Sequence, residues 1–308
     1  MRADNPLDWA NRAERLIRAG DKSGALAALL SASQAQPASA ASEDRIGFLF
    51  AVLQRQQDAV DHFQKALNLD PRYAAAHYHL GVALWLANES QEGISELQEA
   101  AKLAPAVFDY RYRLGSAYLQ SGAFPQAAAE LKQAVSIDGS KTPAWIGLGR
   151  ALQNQGDLDG AVNAFDHAVK LAPEDDNARN EYAYVLIETR RADRGIEESR
   201  RVLLHKPNDT SAWMNIGYAD LKKGDFAAAE KAYRKSVEID ATLAAAHYDL
   251  GIALKMEDQL EAAQKELKDA IRLDPSLAQA HYTLGITYWQ MGDFPATLEQ
   301  MPCCHGSR

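Results

Sequence analysis

A small residue returns every 34 positions along this chain: Ala13, Gly47, Gly81, Gly115, Gly149, Ala183, Gly217, Gly251 and Gly285. No insertion or deletion breaks the register. Self-similarity at this period means stacked supersecondary units, each unable to bury its apolar face alone. A length of 308 residues would otherwise suggest two domains. A stacked array grows along a line and has no single core to saturate, so the repeat overrides that expectation. Units start at 6, 40, 74, 108, 142, 176, 210, 244 and 278, the last incomplete. They span 6–301, after a leader at 1–5 and before a non-repeat tail at 302–308.

Each unit carries two apolar stripes. Places 4, 7, 8 and 11 hold apolar or small residues, which line one face of a helix. In the fifth unit these are Trp145, Leu148, Gly149 and Leu152. Places 20, 24 and 27 (Ala161, Phe165 and Ala168) line a second helix. Between the stripes, Gly20-Asp21, Gly156-Asp157, Gly224-Asp225 and Gly292-Asp293 fill places 15 and 16. Glycine takes the left-handed conformation that ends a helix, and aspartate favours the start of the next. Place 32 is commonly proline, as at Pro37, Pro71, Pro105, Pro173, Pro207 and Pro275. Proline lacks the amide hydrogen a helix interior needs. Each unit therefore reads as helix, tight turn, helix, stop. Small residues at places 8 and 20 let the two helix axes approach closely.

Trp145, Leu148, Gly149, Leu152, Gly156, Ala161, Phe165, Ala168 and Pro173 stand at the signature places of the tetratricopeptide repeat family, and the chain resembles that family from Pro6 to about Met301. The resemblance implies an all-α, right-handed superhelical solenoid of stacked antiparallel helix pairs. It also implies that first helices line a concave groove for a peptide or partner protein.

Some positions depart from the pattern. The sixth unit has Ala183 for glycine, Arg190 for the turn glycine, Ser199 for an aromatic and Val202 for alanine. Its Arg190, Arg191, Arg194, Arg200 and Arg201 read as a solvated outer face paired with Glu197 and Glu198, rather than as a basic patch. Asp220 falls at place 11 of the seventh unit, where an apolar residue is usual. A buried unpaired carboxylate is costly, so it is expected to reach the groove or a neighbouring helix. At the last unit Leu284, Tyr288 and Leu298 are expected to lack a next-door neighbour, which would favour self-association.

The formal net charge of −9 argues against a general nucleic-acid binder. The longest apolar run, near Ile46 to Leu53, falls far short of the ~20 residues of a membrane span. Met1 to Asn5 lacks the apolar stretch of a secretory signal, so the expected compartment is the cytoplasm. Cys303 and Cys304 are adjacent and cannot form a disulfide framework. With His305 they do not match haem attachment, which needs two residues between the cysteines. Gly147-Leu148-Gly149 lacks the third glycine of a phosphate loop, and no nucleophile elbow or zinc-protease motif occurs. His77 and His79, two apart, do not share a helix face. Histidine at place 4 (His77, His247 and His281) stands where other units have tryptophan, and reads as packing. These readings imply no enzyme activity, metal or cofactor.

The resemblance assigns ligand contact to places 2, 5, 6, 9, 12 and 13. Place 5 holds Tyr78, Tyr112, Tyr248 and Tyr282, with Asn180 and Met214 between. Place 9 adds Phe48, Tyr184 and Tyr218, and place 12 adds Trp85 and Trp289. Tyrosine offers a rigid apolar face with a polar tip, suited to peptide contact. His79, Arg113 and Asn215 at place 6 add polar groups. Glu14, Asp44, Asp109, Glu181, Glu188 and Asp249 balance Arg18, Arg45, Arg113, Arg150, Lys222 and Lys255, so the lining is neutral overall. No lysine–asparagine cluster of the kind that clamps a C-terminal carboxylate is present. The expected function is a non-enzymatic interaction scaffold for an extended segment. The alternative is the substrate-recruiting arm of a larger enzyme, such as an O-linked glycosyltransferase.

Overall fold

The structure, a computed structural model, describes residues 5–300. The tail with Cys303, Cys304 and His305 lies outside the described residues. Among these, all regular structure is helical. The first helices of the nine units are α1 (Pro6–Arg18), α3 (Ala40–Val52), α5 (Ala74–Leu86), α7 (Phe108–Gln120), α9 (Thr142–Gln155), α11 (Asp176–Glu188), α13 (Thr210–Lys223), α15 (Ala244–Met256) and α17 (Ala278–Met291). The second helices are α2 (Lys22–Gln34), α4 (Gln56–Leu69), α6 (Ser90–Leu103), α8 (Phe124–Ile137), α10 (Leu158–Leu171), α12 (Ala192–His205), α14 (Phe226–Ile239), α16 (Leu260–Leu273) and α18 (Phe294–Gln300). The chain divides into two compact parts, 1–156 and 157–308. In the first part α1 pairs with α2, α3 with α4, α5 with α6 and α7 with α8. In the second, α11 pairs with α12, α13 with α14, α15 with α16 and α17 with α18. Each second helix in turn packs on the next first helix, as α4 does on α5 and α14 on α15.

The turn inside every unit hinges on one residue at place 15. Gly20, Gln54, Asn88, Gly122, Gly156, Arg190, Gly224, Asp258 and Gly292 all have positive φ, from 61° at Gln54 to 89° at Gly156. Only glycine enters this region without steric cost. The repeat therefore imposes the conformation even where the sequence supplies glutamine or arginine. Aspartate follows at Asp21, Asp157 and Asp225, and its side chain accepts from the backbone N–H of Gly24, Gly160 and Ala228 respectively. That caps the second helix.

Within a pair the helices touch nearly backbone to backbone. A Cβ on Gly217 would lie 2.8 Å from the Tyr233 ring. In the sixth unit the small residue changes sides: Ala183 replaces glycine at place 8, and a Cβ on Gly195 at place 20 would lie 2.9 Å from the Ala183 carbonyl oxygen. The ring missing at Ser199 reappears at place 7 as buried Tyr182, whose hydroxyl donates to Asp166. Burial and Asp166 push that phenol up to about 12. The arginines there are largely answered from nearby: Arg191 by Asp159, Arg201 by Glu197 and Glu198, and Arg194 by the Tyr182 hydroxyl.

Place 4 differs from expectation. Its histidines are hydrogen-bonding struts, not packing residues. His77, His247 and His281 face the carbonyls of Pro71, Ala241 and Pro275 through Nε2, at 3.1 to 3.2 Å. Trp145 and Trp213 donate to the carbonyls of Gly139 and Pro207, and Arg111 and Arg179 to those of Pro105 and Pro173. In seven units, then, place 4 ties the first helix to the link six residues before it. Place 23 on the second helix completes the strut. His77 meets Glu96 at 2.5 Å, Arg111 meets Glu130 at 2.6 Å, Arg179 meets Glu198 at 2.5 Å and His247 meets Glu266 at 2.7 Å. His281 meets the neutral Gln300 at 2.9 Å. In the second unit the charges are exchanged, with Glu43 at place 4 and His62 at place 23, 2.6 Å apart. Where place 4 is tryptophan (Trp9, Trp145 and Trp213), place 23 shrinks to Ala28, Ala164 and Ala232.

Two tests follow from these constraints. Gln54→Gly should stabilise the chain by about 1 kcal/mol and Gly122→Ala should destabilise it by a similar amount, read from urea midpoints. Glu198→Ala should cost about 3–5 kcal/mol, because it strands the buried Arg179. Arg179→Trp combined with Glu198→Ala should recover most of that loss by copying the tryptophan–alanine solution of the other units.

Candidate functional site

Successive first helices touch one another within each part: α1 with α3, α3 with α5, α5 with α7 and α7 with α9, then α11 with α13 and α15 with α17. Their shared face carries places 5, 6, 9, 12 and 13. In the second, third and seventh units, place 6 sits over the unit before it. His79 shows the full arrangement. Its Nδ1 lies 2.7 Å from Asp44 Oδ1 at place 5, and its ring lies 5.5 Å from those of Phe48 at place 9 and Phe63 at place 24. Arg45 likewise pairs with Glu14 at place 9, and Asn215 Nδ2 donates to the Asn180 carbonyl at 2.9 Å.

The first part has an apolar pocket of about 250 Å³ at the seam of α3 and α5. Phe48, Ala51, Phe63, Tyr78, Val82 and Leu86 supply its apolar lining, and His79 and Gln56 its polar edge. Phe48 is 39% exposed, Val52 48% and Leu86 68%, so apolar surface continues beyond the mouth. Val52 and Leu86 are absent from the sequence-based set. Their signal was an apolar residue at place 13, where other units have Arg18, Gln120, Asn154, Glu188, Lys222 and Gln290 and the eighth has Met256. Tyr78 stacks on Tyr110 at 4.8 Å and Tyr112 on Phe108 at 5.6 Å. Arg113 is exposed.

In the second part Tyr184 and Tyr218 stack at 5.8 Å with a 13° interplanar angle. The Tyr218 hydroxyl donates to Glu188, and the Lys222 amine lies 5.0 Å from the Tyr218 ring and 3.5 Å from Glu188. Burial, above all, raises both phenols, and the bond to Tyr218 raises the Lys222 ammonium. Asn180 and Asn215 are buried, and Asn180 Nδ2 donates to Asp209, so these amides hold the seam. Tyr248 is partly buried against the cluster of Leu267, Leu284 and Tyr288. Tyr282 is 62% exposed. Leu284 and Tyr288, expected to stand open, are buried; Leu298 is exposed with Trp289 and Phe294.

Two carboxylates here lack a hydrogen bond or ion pair among the described residues. Burial raises Asp220, while Lys223 and Arg200 act in the opposite direction. Burial alone pushes Asp249 up to about 7. His247, Glu266 and Asp269 place ligand atoms within 4.8 Å of one another, a grouping the sequence reading did not find. Both His247 nitrogens already face partners, and Lys265 lies 2.9 Å from Glu266, so these groups are committed to the strut. No helix among the described residues is long and apolar enough to cross a membrane.

Asp249 sets a pH dependence. Its folded pKa lies above the unfolded value, so its penalty is absent below pH 4 and complete above about pH 7. Asp249→Asn should therefore stabilise the chain by on the order of 1–3 kcal/mol at pH 8 and by almost nothing at pH 4. Urea midpoints of both proteins at the two pH values measure this.

Family models described as tetratricopeptide repeat or TPR repeat match residues 49–87, 87–141, 118–168, 152–215, 210–243 and 257–292. No curated protein matches the sequence. Among solved structures, PilW, a type IV pilus biogenesis factor, is similar with a TM-score of 0.57 at 21% identity, over 63% of this chain and 90% of that one. PilF of Pseudomonas aeruginosa gives 0.53 at 19%, over 63% and 88%. A tetratricopeptide repeat protein from Parabacteroides merdae gives 0.53 at 14%, over 81% and 98%. At these identities the likeness is one of fold.

Proposed function

Because the chain belongs to the tetratricopeptide repeat family, we propose that it is a non-enzymatic scaffold that holds an extended segment of a partner protein along the face of its first helices. The pocket at the α3–α5 seam carries this reading. It is the size of one large apolar side chain, is open on the shared face, and is framed by exposed Phe48, Val52 and Leu86. Contiguous exposed apolar surface rimmed by polar groups marks interaction sites. An extended chain advances ~3.3 Å per residue. The successive seams would then contact side chains several residues apart, the first apolar and the later ones facing tyrosine.

The reading also distinguishes holding residues from contacting ones. Asn180, Asn215 and His79 are engaged within the array, and they set the seam on which a ligand rests. Tyr112, Tyr248, Tyr282 and Arg113 remain as contacts, together with Phe48 and Leu86.

A random heptapeptide display library selected on the full chain tests the proposal. Peptides with a large apolar anchor should emerge. Phe48→Ala with Leu86→Ser should weaken them at least tenfold, about 1.4 kcal/mol, with the helical circular dichroism unchanged. Failure of the wild-type chain to capture any peptide would refute the reading.

A further inference from the structure

We propose that Asp249 and the Tyr233 hydroxyl form a seat for a basic side chain, lysine or arginine, of a segment lying on the first-helix face of the second part. This rests on the groove reading above and names the chemistry of one contact within it.

The argument starts from register. Asp249 is at place 6 of the eighth unit, the position His79 holds in the third. His79 is answered by Asp44 at place 5 and flanked by the rings of Phe48 and Phe63 at places 9 and 24. The equivalent residues around Asp249 are Met214, Tyr218 and Tyr233. Methionine offers a carboxylate no hydrogen bond, so the internal answer present at the His79 seam is missing here. Other polar groups at place 6 are met: Arg45 by Glu14 and Asn215 by Asn180, while Arg113 is exposed to water. Asp249 is partly buried and has neither hydrogen bond nor ion pair among the described residues.

A second, independent group at this seam lacks a partner. Tyr233 is fully buried, and its Oη has no hydrogen-bond partner. Tyr233 shares a buried cluster with Met214 and with Leu250, the residue next to Asp249, and the Asp249 charge helps to hold this phenol protonated. At place 24 other units have phenylalanine (Phe63 and Phe165) or leucine (Leu29, Leu97, Leu131 and Leu267), which have no hydroxyl to satisfy, and the sixth has Ser199. The seventh and eighth units thus put two oxygens at one seam and supply no donor. Lys222, on the first helix of the seventh unit, is committed to Glu188 and the Tyr218 ring. No cation holds the Asp249 carboxyl down.

A primary ammonium has three donors and no acceptor, and a guanidinium has five. Either one answers both oxygens and neutralises the carboxylate. A neutral amide donor would satisfy one oxygen and leave the charge.

The test uses the full chain and the same random heptapeptide library, selected in parallel on wild type and on Asp249→Asn, which keeps the shape and removes the charge. Wild type should enrich lysine or arginine among the captured peptides. Asp249→Asn should still capture peptides but lose that enrichment. A selected peptide remade with norleucine in place of the basic residue should bind wild type at least tenfold more weakly and Asp249→Asn less than twofold more weakly. Carboxyl NMR of Asp249 in wild type needs no variant: the basic peptide should lower its titration midpoint by at least one pH unit, and the norleucine peptide should not. Capture without basic enrichment, enrichment that survives in Asp249→Asn, or an unmoved midpoint overturns the seat while leaving the groove reading intact. No capture by wild type sinks the groove reading itself, and the seat with it.

Discussion

The strut at place 4 fixes how one unit meets the next. A helix pair alone has an apolar face and can slide against its neighbour. The side chain at place 4 reaches the carbonyl six residues upstream, in the link from the preceding second helix. Link carbonyls just beyond a helix need partners when buried, and a single long side chain supplies one. Because the same side chain also meets place 23, it ties three segments at one point. Its chemistry is free to vary as long as both ends are answered. Tryptophan with alanine and histidine or arginine with glutamate both answer the link carbonyl, whereas the exchanged Glu43–His62 pair keeps only the tie between the two helices, because a carboxylate cannot donate to a carbonyl.

That equivalence explains what was legible in the sequence. Periodicity locates the helices because small and apolar places recur regardless of partner, and the odd-numbered helices begin at Pro6, Ala40 and onward in steps of 34. The left-handed turn was legible where glycine marks it. It was hidden at Gln54, Asn88, Arg190 and Asp258, where the surrounding structure imposes a conformation those residues disfavour. The place-4 strut was not legible by reading each column alone. Histidine in a column with tryptophan looks like a packing residue until place 23 is read beside it. The groove was legible as a set of places, since Tyr184 and Tyr218 do share a face. Which of its polar residues were spoken for was not, because Asn215 is consumed by the Asn180 carbonyl, 35 residues away, and the Asn180 side chain by Asp209.

The two parts present different chemistry on the same places. In the first, Phe48, Val52 and Leu86 make an apolar mouth, and the charged groups Glu14, Asp44 and Arg45 are already paired beside it. In the second, rings alternate with Glu188, Lys222 and Asp249. The formal neutrality of the lining conceals this segregation.

Asp249 stands out against this background because the fully buried carboxylates, Glu43, Asp44, Asp176, Glu198 and Glu266, each have a cation or histidine partner. A carboxylate such as Glu198 or Glu266 is as deeply placed, yet each has its cation or histidine within 2.5 to 2.7 Å. The two situations have opposite consequences. A paired buried charge resists change because removing either partner strands the other. An unpaired one opposes folding at neutral pH and relaxes when a cation arrives or a proton is taken up. Stability and binding are then drawn from one source: the free energy withheld by the empty seam is released to whatever group completes it. A solenoid tolerates such a withheld contribution more readily than a single-core globule does. Its stability is a sum over units and their interfaces, and the well-answered seams on either side carry the weak one.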